Sequence, residues 1–466
     1  MTVATALVYL LAAVLFIVGL KFLSSPRGAR RGNTVAAVGM VLAVLWTVVL
    51  LRNTFTPAGV VICLLGVAIG AVAGTVGARR VKMTAMPQMV ALFNGVGGGA
   101  AALVAVSELL ALSGSRPEFQ VGFPSVFAIV VGGISFAGSA VAFAKLQELM
   151  TGTPMTYPGQ QVVNALVALA IVALAVALLA VSGSAVVFIT VLVLALVLGV
   201  AFVLPIGGAD MPVVISLLNA CTGLAVAASG FVVDNFALIV AGTLVGASGS
   251  LLTKLMSDAM GRSLANVLFG AFGQVQTGAA SAAGAGADGR SVRAGSSDDV
   301  GTMLAYSRSV IIVPGYGLAV AQAQHAVRDL ADQLEKRGVE VSYAIHPVAG
   351  RMPGHMNVLL AEANVPYEQL KEMDEINGDF KHADVALVVG ANDVVNPAAR
   401  NSPGSPIYGM PILNVDDARS VIFLKRSMRP GFAGIDNDLL YDPKTVMLFG
   451  DAKDSIEKVT SFVKNL

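Results

Sequence analysis

The sequence predicts two unlike parts, an α-helical membrane bundle of about nine spans followed by an α/β doubly wound, Rossmann-like domain with a parallel sheet. Residues 1–262 are nearly all apolar and hold only 12 Lys and Arg and 6 Asp and Glu residues, whereas residues 263–466 hold 18 and 23. In the second part, short β-branched runs alternate with helical patterns, which is typical of a parallel sheet covered by helices. A chain of 466 residues has room for both parts.

The membrane part is predicted from apolar runs, since a spanning helix needs about 20 mostly apolar residues. The predicted spans are 3–22, 34–51, 58–77, 87–112, 124–144, 161–181, 184–204, 211–230 and 235–256. The least certain boundary lies between the sixth and seventh spans, where a short Ser-Gly-Ser turn at 182–184 separates two apolar runs. Eight or ten spans therefore remain alternatives. The first run has no basic residues ahead of it, which predicts a retained span rather than a cleaved signal peptide.

The positive charges predict the orientation, because Lys and Arg are retained on the cytoplasmic side. Ten lysines and arginines fall in the segments after the odd-numbered spans, and only Arg52 and Arg116 fall after the even-numbered ones. We therefore expect a multi-pass protein of the cell inner membrane, with its N-terminus outside and its C-terminal domain in the cytoplasm. The chain has no long basic block, so nucleic acid is not an expected partner.

Residues 263–300 are rich in small and polar residues without an apolar period, which predicts a flexible linker ahead of a domain over residues 301–466. The predicted strands of that domain are Ser309–Val313, Val339–Ile345, Ala383–Val389, Ser420–Leu424 and Thr445–Phe449. The predicted helices are Leu318–Arg337, Met356–Ala363 and Asp451–Leu466. Gly338 stands where a helix commonly ends.

The glycines of the first strand-to-helix turn favour a dinucleotide site. Gly315-Tyr316-Gly317 follows a strand and opens a helix, where glycine allows a tight turn and close approach of a pyrophosphate. Val320 stands at the third glycine position of the usual pattern. An ordinary tight turn would use the same residues, so the alternative stays open.

The charges near the strand ends favour NADP over NAD. NAD sites usually place an acid near the end of the second strand, and the segment from Ile345 to Pro347 has none. Lys425-Arg426-Ser427 directly follows a later strand and offers two cations and a hydroxyl for a 2′-phosphate. A solvated strand end is the alternative interpretation. The glycine-flanked loops 350–354 and 390–397 suit a cofactor cradle, although ordinary turns use the same residue types.

Polar residues inside the membrane part are candidates for a proton route, since such groups are costly at membrane depth. Asp210 lies near the end of a predicted span, and Asn94 and Asn219 lie within spans. Asparagine also acts as packing glue between helices, so each one alone has that alternative. The sequence offers no metal-ligand cluster.

Several long motifs in the right order resemble the β subunit of proton-translocating NAD(P) transhydrogenase, over essentially the whole chain. They are Pro314–Gln324, His346–Ala363, Gly390–Pro397, Lys425–Met428, Phe449–Lys453 and, in the membrane part, Gly207–Val214.

The resemblance implies that the C-terminal domain binds NADP(H), that a partner α subunit carries the NAD(H) domain, and that hydride passes directly between the nicotinamides. It further implies a holoenzyme dimer in the lipid bilayer, with the segment Met428–Gly434 as a lid over NADP. By motif position the cofactor-lining residues are Gly315, Tyr316, Gly317, Val348, Ala349, Gly350, Arg351, Met352, Pro353, Gly390, Ala391, Asn392, Asp393, Val394, Gly409, Met410, Lys425, Arg426, Ser427, Met428, Arg429, Pro430, Gly431, Phe432, Asp451 and Ala452.

One departure from the family bears on the proton route. Some members have a membrane histidine where Asn94 stands, and all four histidines of this chain lie in the C-terminal part. We therefore expect the titrating histidine to come from a membrane helix of the partner. The rival function is a membrane channel or transporter gated by a bound nucleotide, but no filter-like pore sequence is present.

Overall fold

The computed structural model describes residues 3–23, 28–52, 56–82, 85–112, 117–147, 149–150, 155–180, 184–207, 210–259, 263–265, 291–350, 354–402, 405, 407–431 and 433–466. These residues form two compact units, a helical bundle in the N-terminal part and an α/β domain in the C-terminal part.

Nine helices of the described residues are long and apolar enough to cross a membrane, as predicted. They are α1 Val3–Leu23, α2 Ala29–Leu51, α3 Pro57–Arg80, α4 Met86–Ala111, α5 Phe119–Leu146, α6 Gln160–Ala180, α7 Ala185–Val203, α8 Met211–Val232 and α9 Phe236–Ala259. The predicted Ser-Gly-Ser turn at 182–184 lies mostly outside the described residues, and α7 begins directly after it.

Glycine allows the central helices to approach closely. A Cβ atom on Gly132 of α5 would clash with the carbonyl oxygen of Gly98 on α4, and one on Gly223 of α8 would clash with the backbone of Gly246 on α9. Because lipid tails are as apolar as the helices, such contacts must be stabilised by close packing rather than by the hydrophobic effect. Of the nine helices, α4, α5 and α8 are the most buried within the described part of the bundle.

The C-terminal domain contains seven strands and seven helices among its described residues. The strands are β1 Arg293–Ala294, β2 Ser309–Pro314, β3 Glu340–Ile345, β4 Leu370–Glu372, β5 Val385–Val389, β6 Ser420–Lys425 and β7 Thr445–Phe449. The helices are α10 Ser297–Ala305, α11 Tyr316–Val320, α12 Gln324–Lys336, α13 His355–Glu362, α14 Met373–Ile376, α15 Ala398–Asn401 and α16 Ala452–Asn465.

All seven strands are parallel and follow the order β1-β7-β6-β5-β2-β3-β4. Without β1, this is the strand order of the dinucleotide-binding fold, and the order reverses between β2 and β5. The central strands are buried on both faces, as expected for a parallel sheet between two helical layers. One face packs Val313, Val388, Phe423 and Met447 around the buried ring of Phe380.

The helix predicted over Leu318–Arg337 is wrong as a single element. It is two helices, α11 and α12, separated by a turn in which Gln322 has a φ of 51°. A non-glycine residue in this left-handed region interrupts helical hydrogen bonding. Gly338 ends α12 with a φ of 82°, as predicted.

The C-terminal domain begins before the predicted boundary at residue 301. Strand β1 pairs with β7, and Ser296 and Asp299 form a capping box at the start of α10. This reciprocal cap fixes a helix start within the segment that was predicted to be linker. Residues 266–290, the centre of that predicted linker, lie outside the described residues.

Candidate functional site

The loops after β2 and β5 meet at the point where the strand order reverses. The Gly315 N–H donates to Val389 O at 2.9 Å, and the Gly317 N–H donates to Gly390 O at 2.9 Å. A Cβ atom on Gly315 would clash with the backbone at Gly390 and Ala391, and Gly390 itself has a φ of 70°. Glycine is therefore required at these positions because the two loops are in backbone contact. This contact lies at the carboxyl ends of the strands, where ligands of such sheets bind.

The loop after β3 is fixed by His346, which sequence reasoning quoted within a motif but gave no role. Its Nδ1 accepts from the Val348 N–H at 3.2 Å, so its Nε2 carries the proton and donates to Pro411 O at 2.8 Å. The ring thus joins the predicted cofactor residue Val348 to the segment after Met410, while the Ala349 N–H donates to the backbone carbonyl of His346 at 3.0 Å. Burial lowers the pKa of His346 to about 4, although the hydrogen bond to Pro411 opposes that shift.

Further along this loop, Gly350 has a φ of 108°, and a Cβ atom there would clash with the ring of His355. His355 is fully buried, and its ring centroid lies 6.3 Å from that of Tyr316. Gly350 and Tyr316 thus both lie beside the ring of His355. Arg351, Met352 and Pro353 lie outside the described residues.

The pKa of His346 predicts a pH dependence of folding. Its ordinary pKa is 6.5 and its folded pKa is about 4, so between these values the unfolded chain binds more protons and the folded domain loses stability as pH falls. We expect the domain of residues 291–466 to lose on the order of 3 kcal/mol from this group between pH 7 and pH 4. Urea unfolding at several pH values measures this slope.

His346→Gln keeps an amide donor for Pro411 but does not titrate, so the slope should flatten in this variant. His382→Gln, at an exposed histidine, is the matched control and should leave the slope unchanged. An unchanged slope in His346→Gln would contradict the assignment.

At the carboxyl ends of β5 and β6, Lys425 joins two predicted parts of the site. Its ammonium donates to Asn392 Oδ1 at 3.1 Å and to Arg429 O at 2.8 Å. Burial lowers the pKa of Lys425, and the nearby carboxylates of Asp436 and Asp393 oppose the shift. The Lys425 ammonium is therefore held in place by Asn392, in the loop after β5, and by the backbone of Arg429, four residues further along the chain.

Arg426 directly follows β6 and lies beside the start of α16, the helix that comes after β7. Its guanidinium contacts Asp451 Oδ2 at 2.7 Å, while 63% of its side chain is exposed. Burial raises the pKa of Asp451, but the hydrogen bonds from Arg426 and the Lys453 N–H outweigh it, so the pKa lies below its ordinary value. Asp451 also caps α16, which Ala452 begins. Ser427 is exposed next to this pair.

The segment predicted as a lid, residues 428–434, lies on the loop after β5. The Ala433 N–H donates to Asp393 Oδ2 at 2.8 Å, and a Cβ atom on Gly431 would clash with Asn392 and Asp393. Met410 packs against the same small apolar cluster as Ala433, which connects the predicted residues Gly409 and Met410 with this segment. Phe432 lies outside the described residues, whereas Met428 and Pro430 are described.

Sequence reasoning missed the residues that support this segment. Asn437 Nδ2 donates to Asn392 O at 3.1 Å, and Asn396 Nδ2 donates to Asp436 O at 2.9 Å. Tyr441 donates its hydroxyl to Asp436 Oδ2 at 3.0 Å. Asn396 and Asn437 are buried, and buried amides need hydrogen-bond partners. In the sequence, each is only an asparagine in a turn-rich segment, which does not indicate its partner.

In the bundle, Asn94 belongs to a buried polar cluster with Ser135, Ser139 and Thr222. Asn94 Nδ2 donates to Ser139 Oγ at 2.9 Å and to Ser135 Oγ at 3.3 Å. Ser135 and Thr222 share a hydrogen bond of 2.6 Å, so the cluster joins α4, α5 and α8. Asn94 is 7% exposed, and no described residue donates to its Oδ1. Hydroxyl-bearing serines and threonines are too common in helices for the sequence alone to have identified these three.

The other two proton-route candidates are less close to this cluster. Asn219 is half-buried on α8, three residues before Thr222 and so within one helical turn of it. Asp210 precedes α8 and is half-buried, which places it about 18 Å from Thr222 along the helix axis. The described hydrogen bonds connect Asn94, but not Asn219, to the polar cluster.

Lys145, one of the ten lysines and arginines counted in the segments after the odd-numbered spans, is instead buried in the last turn of α5. Its ammonium donates to Leu204 O at 2.5 Å and to Ile206 O at 2.8 Å. A cation at a helix C-terminus is stabilised by the helix dipole and by the last carbonyls. Lys145 thus caps α7 rather than facing water.

Comparison with known proteins agrees with this architecture. The family described as NAD(P) transhydrogenase beta subunit matches residues 5–462. Two curated relatives named NAD(P) transhydrogenase subunit beta, both from Rhodospirillum rubrum, are each 50% identical over 467 residues. The alignment covers 98% of this chain and 98% of each relative.

Proposed function

The chain belongs to the family of NAD(P) transhydrogenase beta subunits, and from this premise we propose that it binds NADP(H) in its C-terminal domain and conducts protons through its bundle. Hydride transfer between NADH on an α subunit and NADP⁺ on this chain is then coupled to proton movement. The family match does not favour the rival function, a nucleotide-gated channel or transporter.

The observation that carries the cofactor proposal is the arrangement at the carboxyl ends of β5, β6 and β7. Lys425, Arg426 and Ser427 lie there together, next to the segment that covers Asn392 and Asp393. A 2′-phosphate fits this set, because Arg426 and Ser427 are exposed and Lys425 is already oriented by two acceptors. Arg426 would exchange its contact with Asp451 for one with the phosphate.

The rest of the predicted site fits the elongated shape of a dinucleotide. The loops that carry Gly315 and Gly390 meet at the carboxyl ends of β2 and β5, and the loop from Val348 to Gly350 follows the neighbouring strand β3. The bound nicotinamide supplies the hydride chemistry. The chain's own contribution is to orient that ring, to hold the phosphates, and to exclude water with the segment over Asp393.

Proton conduction is proposed to pass the cluster of Asn94, Ser135, Ser139 and Thr222, with Asn219 and Asp210 towards the end of α8. Hydroxyls can accept and donate a proton along a chain, whereas asparagine can only orient it. A relay near neutral pH needs a group that titrates there, and histidine is the usual one. We propose that the partner's membrane part supplies that histidine and that the open Oδ1 of Asn94 accepts from it or from a bridging water.

The same premise supports further proposals on assembly and placement. The name of the relatives implies an α subunit, which we propose carries the NAD(H) domain and further membrane helices. We propose a dimeric holoenzyme in the inner membrane, with the N-terminus outside and the C-terminal domain in the cytoplasm. Without the buried Lys145, nine lysines and arginines follow the odd-numbered spans and two follow the even-numbered ones, which supports this orientation.

The proposal predicts that the purified chain alone transfers no hydride from NADH to an NADP analogue, because both nicotinamides must meet and the described residues form one dinucleotide-binding fold. Adding the α subunit should restore the transfer. Absorbance of the reduced analogue measures it. Turnover by the chain without its partner would overturn the division of labour.

A further inference from the structure

A cavity of about 320 Å³ lies at one end of the bundle, where α3 ends, α4 begins and α5 ends. Arg80, Lys82 and Gln88 line it together with Val76, Met89 and Phe143, among others. Its volume falls within the range of small-molecule sites, about 300–1,000 Å³. Neither the proton route nor the cofactor site uses these residues.

The polar wall of this cavity suits an anion that also carries hydroxyl groups. Arg80 and Lys82 are exposed cations on one side, and the first turn of α4 adds the positive end of a 26-residue helix. Gln88 is only 7% exposed, and its Nε2 donates to Leu146 O at 3.0 Å. Its buried Oε1 accepts from no described residue. A buried acceptor of this kind is costly unless a donor reaches it.

The apolar wall continues onto a helix whose described residues are not buried within this chain. Val76 is 43% exposed, and α3 has no buried residue at all among those described. A shallow apolar groove lined by Ala68, Ile69, Val72 and Ala73 lies about one to two turns away on the same helix. An acyl chain beside Val76 would therefore find a continuous apolar track, which a free phosphate would not need.

We propose that this cavity binds the headgroup of an anionic phospholipid with a hydroxyl-bearing headgroup, of the phosphatidylglycerol class. The phosphodiester contacts Arg80 and Lys82, a headgroup hydroxyl donates to Gln88 Oε1, and an acyl chain lies along α3. Basic pockets between membrane helices are typical of such lipid sites. By the distribution of positive charges, the site faces the cytoplasmic leaflet.

The test is native mass spectrometry of the delipidated holoenzyme, titrated separately with phosphatidylglycerol, phosphatidylmethanol, phosphatidylethanolamine and inorganic phosphate. Phosphatidylmethanol has the same charge as phosphatidylglycerol but no hydroxyl. We expect retention in the order phosphatidylglycerol, phosphatidylmethanol, phosphatidylethanolamine, with no competition from inorganic phosphate.

Arg80→Gln with Lys82→Gln should weaken phosphatidylglycerol binding about thirtyfold, equivalent to about 2 kcal/mol at about 1 kcal/mol per cation. The control, Arg30→Gln with Arg31→Gln, removes two exposed cations at the start of α2 and should leave phosphatidylglycerol binding unchanged.

Four results would overturn the proposal. Equal retention of phosphatidylglycerol and phosphatidylethanolamine, or equal loss in both double variants, would remove the anion site. Equal retention of phosphatidylglycerol and phosphatidylmethanol would remove the role of Gln88. Retention by the chain alone that disappears when the α subunit is added would assign the cavity to a protein partner instead.

Discussion

Replacing both Lys425 and Arg426 by alanine is expected to reduce the affinity of the C-terminal domain for NADP(H) to about its affinity for NAD(H). Two or three charge-assisted bonds to a 2′-phosphate contribute on the order of 2–4 kcal/mol, or about 30-fold to 1,000-fold in Kd. Since NAD(H) lacks only that phosphate, its own Kd should change little. Calorimetric titration of residues 291–466 with both nucleotides measures the ratio.

A matched control separates this effect from a general loss of positive charge. Arg308 and Arg419 both pair with Asp384, at the amino ends of the strands, whereas Lys425 lies at the carboxyl end of β6. Alanine at both positions removes the same charge but should leave the ratio of the two Kd values unchanged. If the Lys425 and Arg426 variant keeps its full preference for NADP(H), the site assignment is wrong.

Replacing Asn94 by leucine is expected to slow coupled proton movement by the holoenzyme while NADP(H) binding persists. The substitution keeps the branched shape of the side chain but removes the amide that orients Ser135 and Ser139, and with it the open acceptor Oδ1. Loss of a fixed hydrogen-bond chain should slow proton movement by at least about tenfold, which corresponds to about 1.4 kcal/mol. A pH-sensitive dye in vesicles measures uptake, and calorimetry measures binding.

Ser229→Ala provides the control for this experiment. Ser229 is a buried serine of α8 that donates to Ala101 O at 3.1 Å, outside the polar cluster. Its loss should cost some stability but leave uptake per hydride unchanged. Asp210→Asn and Asn219→Ala, measured alongside, show how far the route extends towards the end of α8. Unchanged uptake in Asn94→Leu would exclude the cluster from the route.

The parts of the fold that could be predicted from the sequence are those with a strong local signal. Nine apolar runs gave nine helices, and β-branched runs gave β2, β3 and β5 to β7 with ends shifted by at most two residues. Strands β1 and β4 have only two and three residues and depend on neighbours far away in sequence. The break at Gln322 required a left-handed conformation that no glycine or proline indicates.

For the candidate site, sequence patterns located the loops but not the contacts between them. The glycines of the first turn suggested approach to a phosphate, whereas their immediate contact is the backbone at Gly390. His346 and Asn437 fix the loops through partners 65 and 45 residues away, and such pairings leave no local pattern. The position of Lys145 could not be predicted for the same reason. A lysine that caps another helix and a lysine in a loop both stand next to an apolar run in the sequence.

The most direct test of coupling is hydride transfer in sealed vesicles that contain this chain and its α subunit. The transfer from NADH to an NADP analogue is nearly isoenergetic, so an imposed proton gradient should accelerate and extend it. We predict that an uncoupler removes this acceleration. With the C-terminal domain facing the added nucleotides, protons should leave the vesicle lumen, down the imposed gradient, as hydride is transferred. A rate and extent of transfer that are identical with the gradient, without it and with the uncoupler would contradict the account.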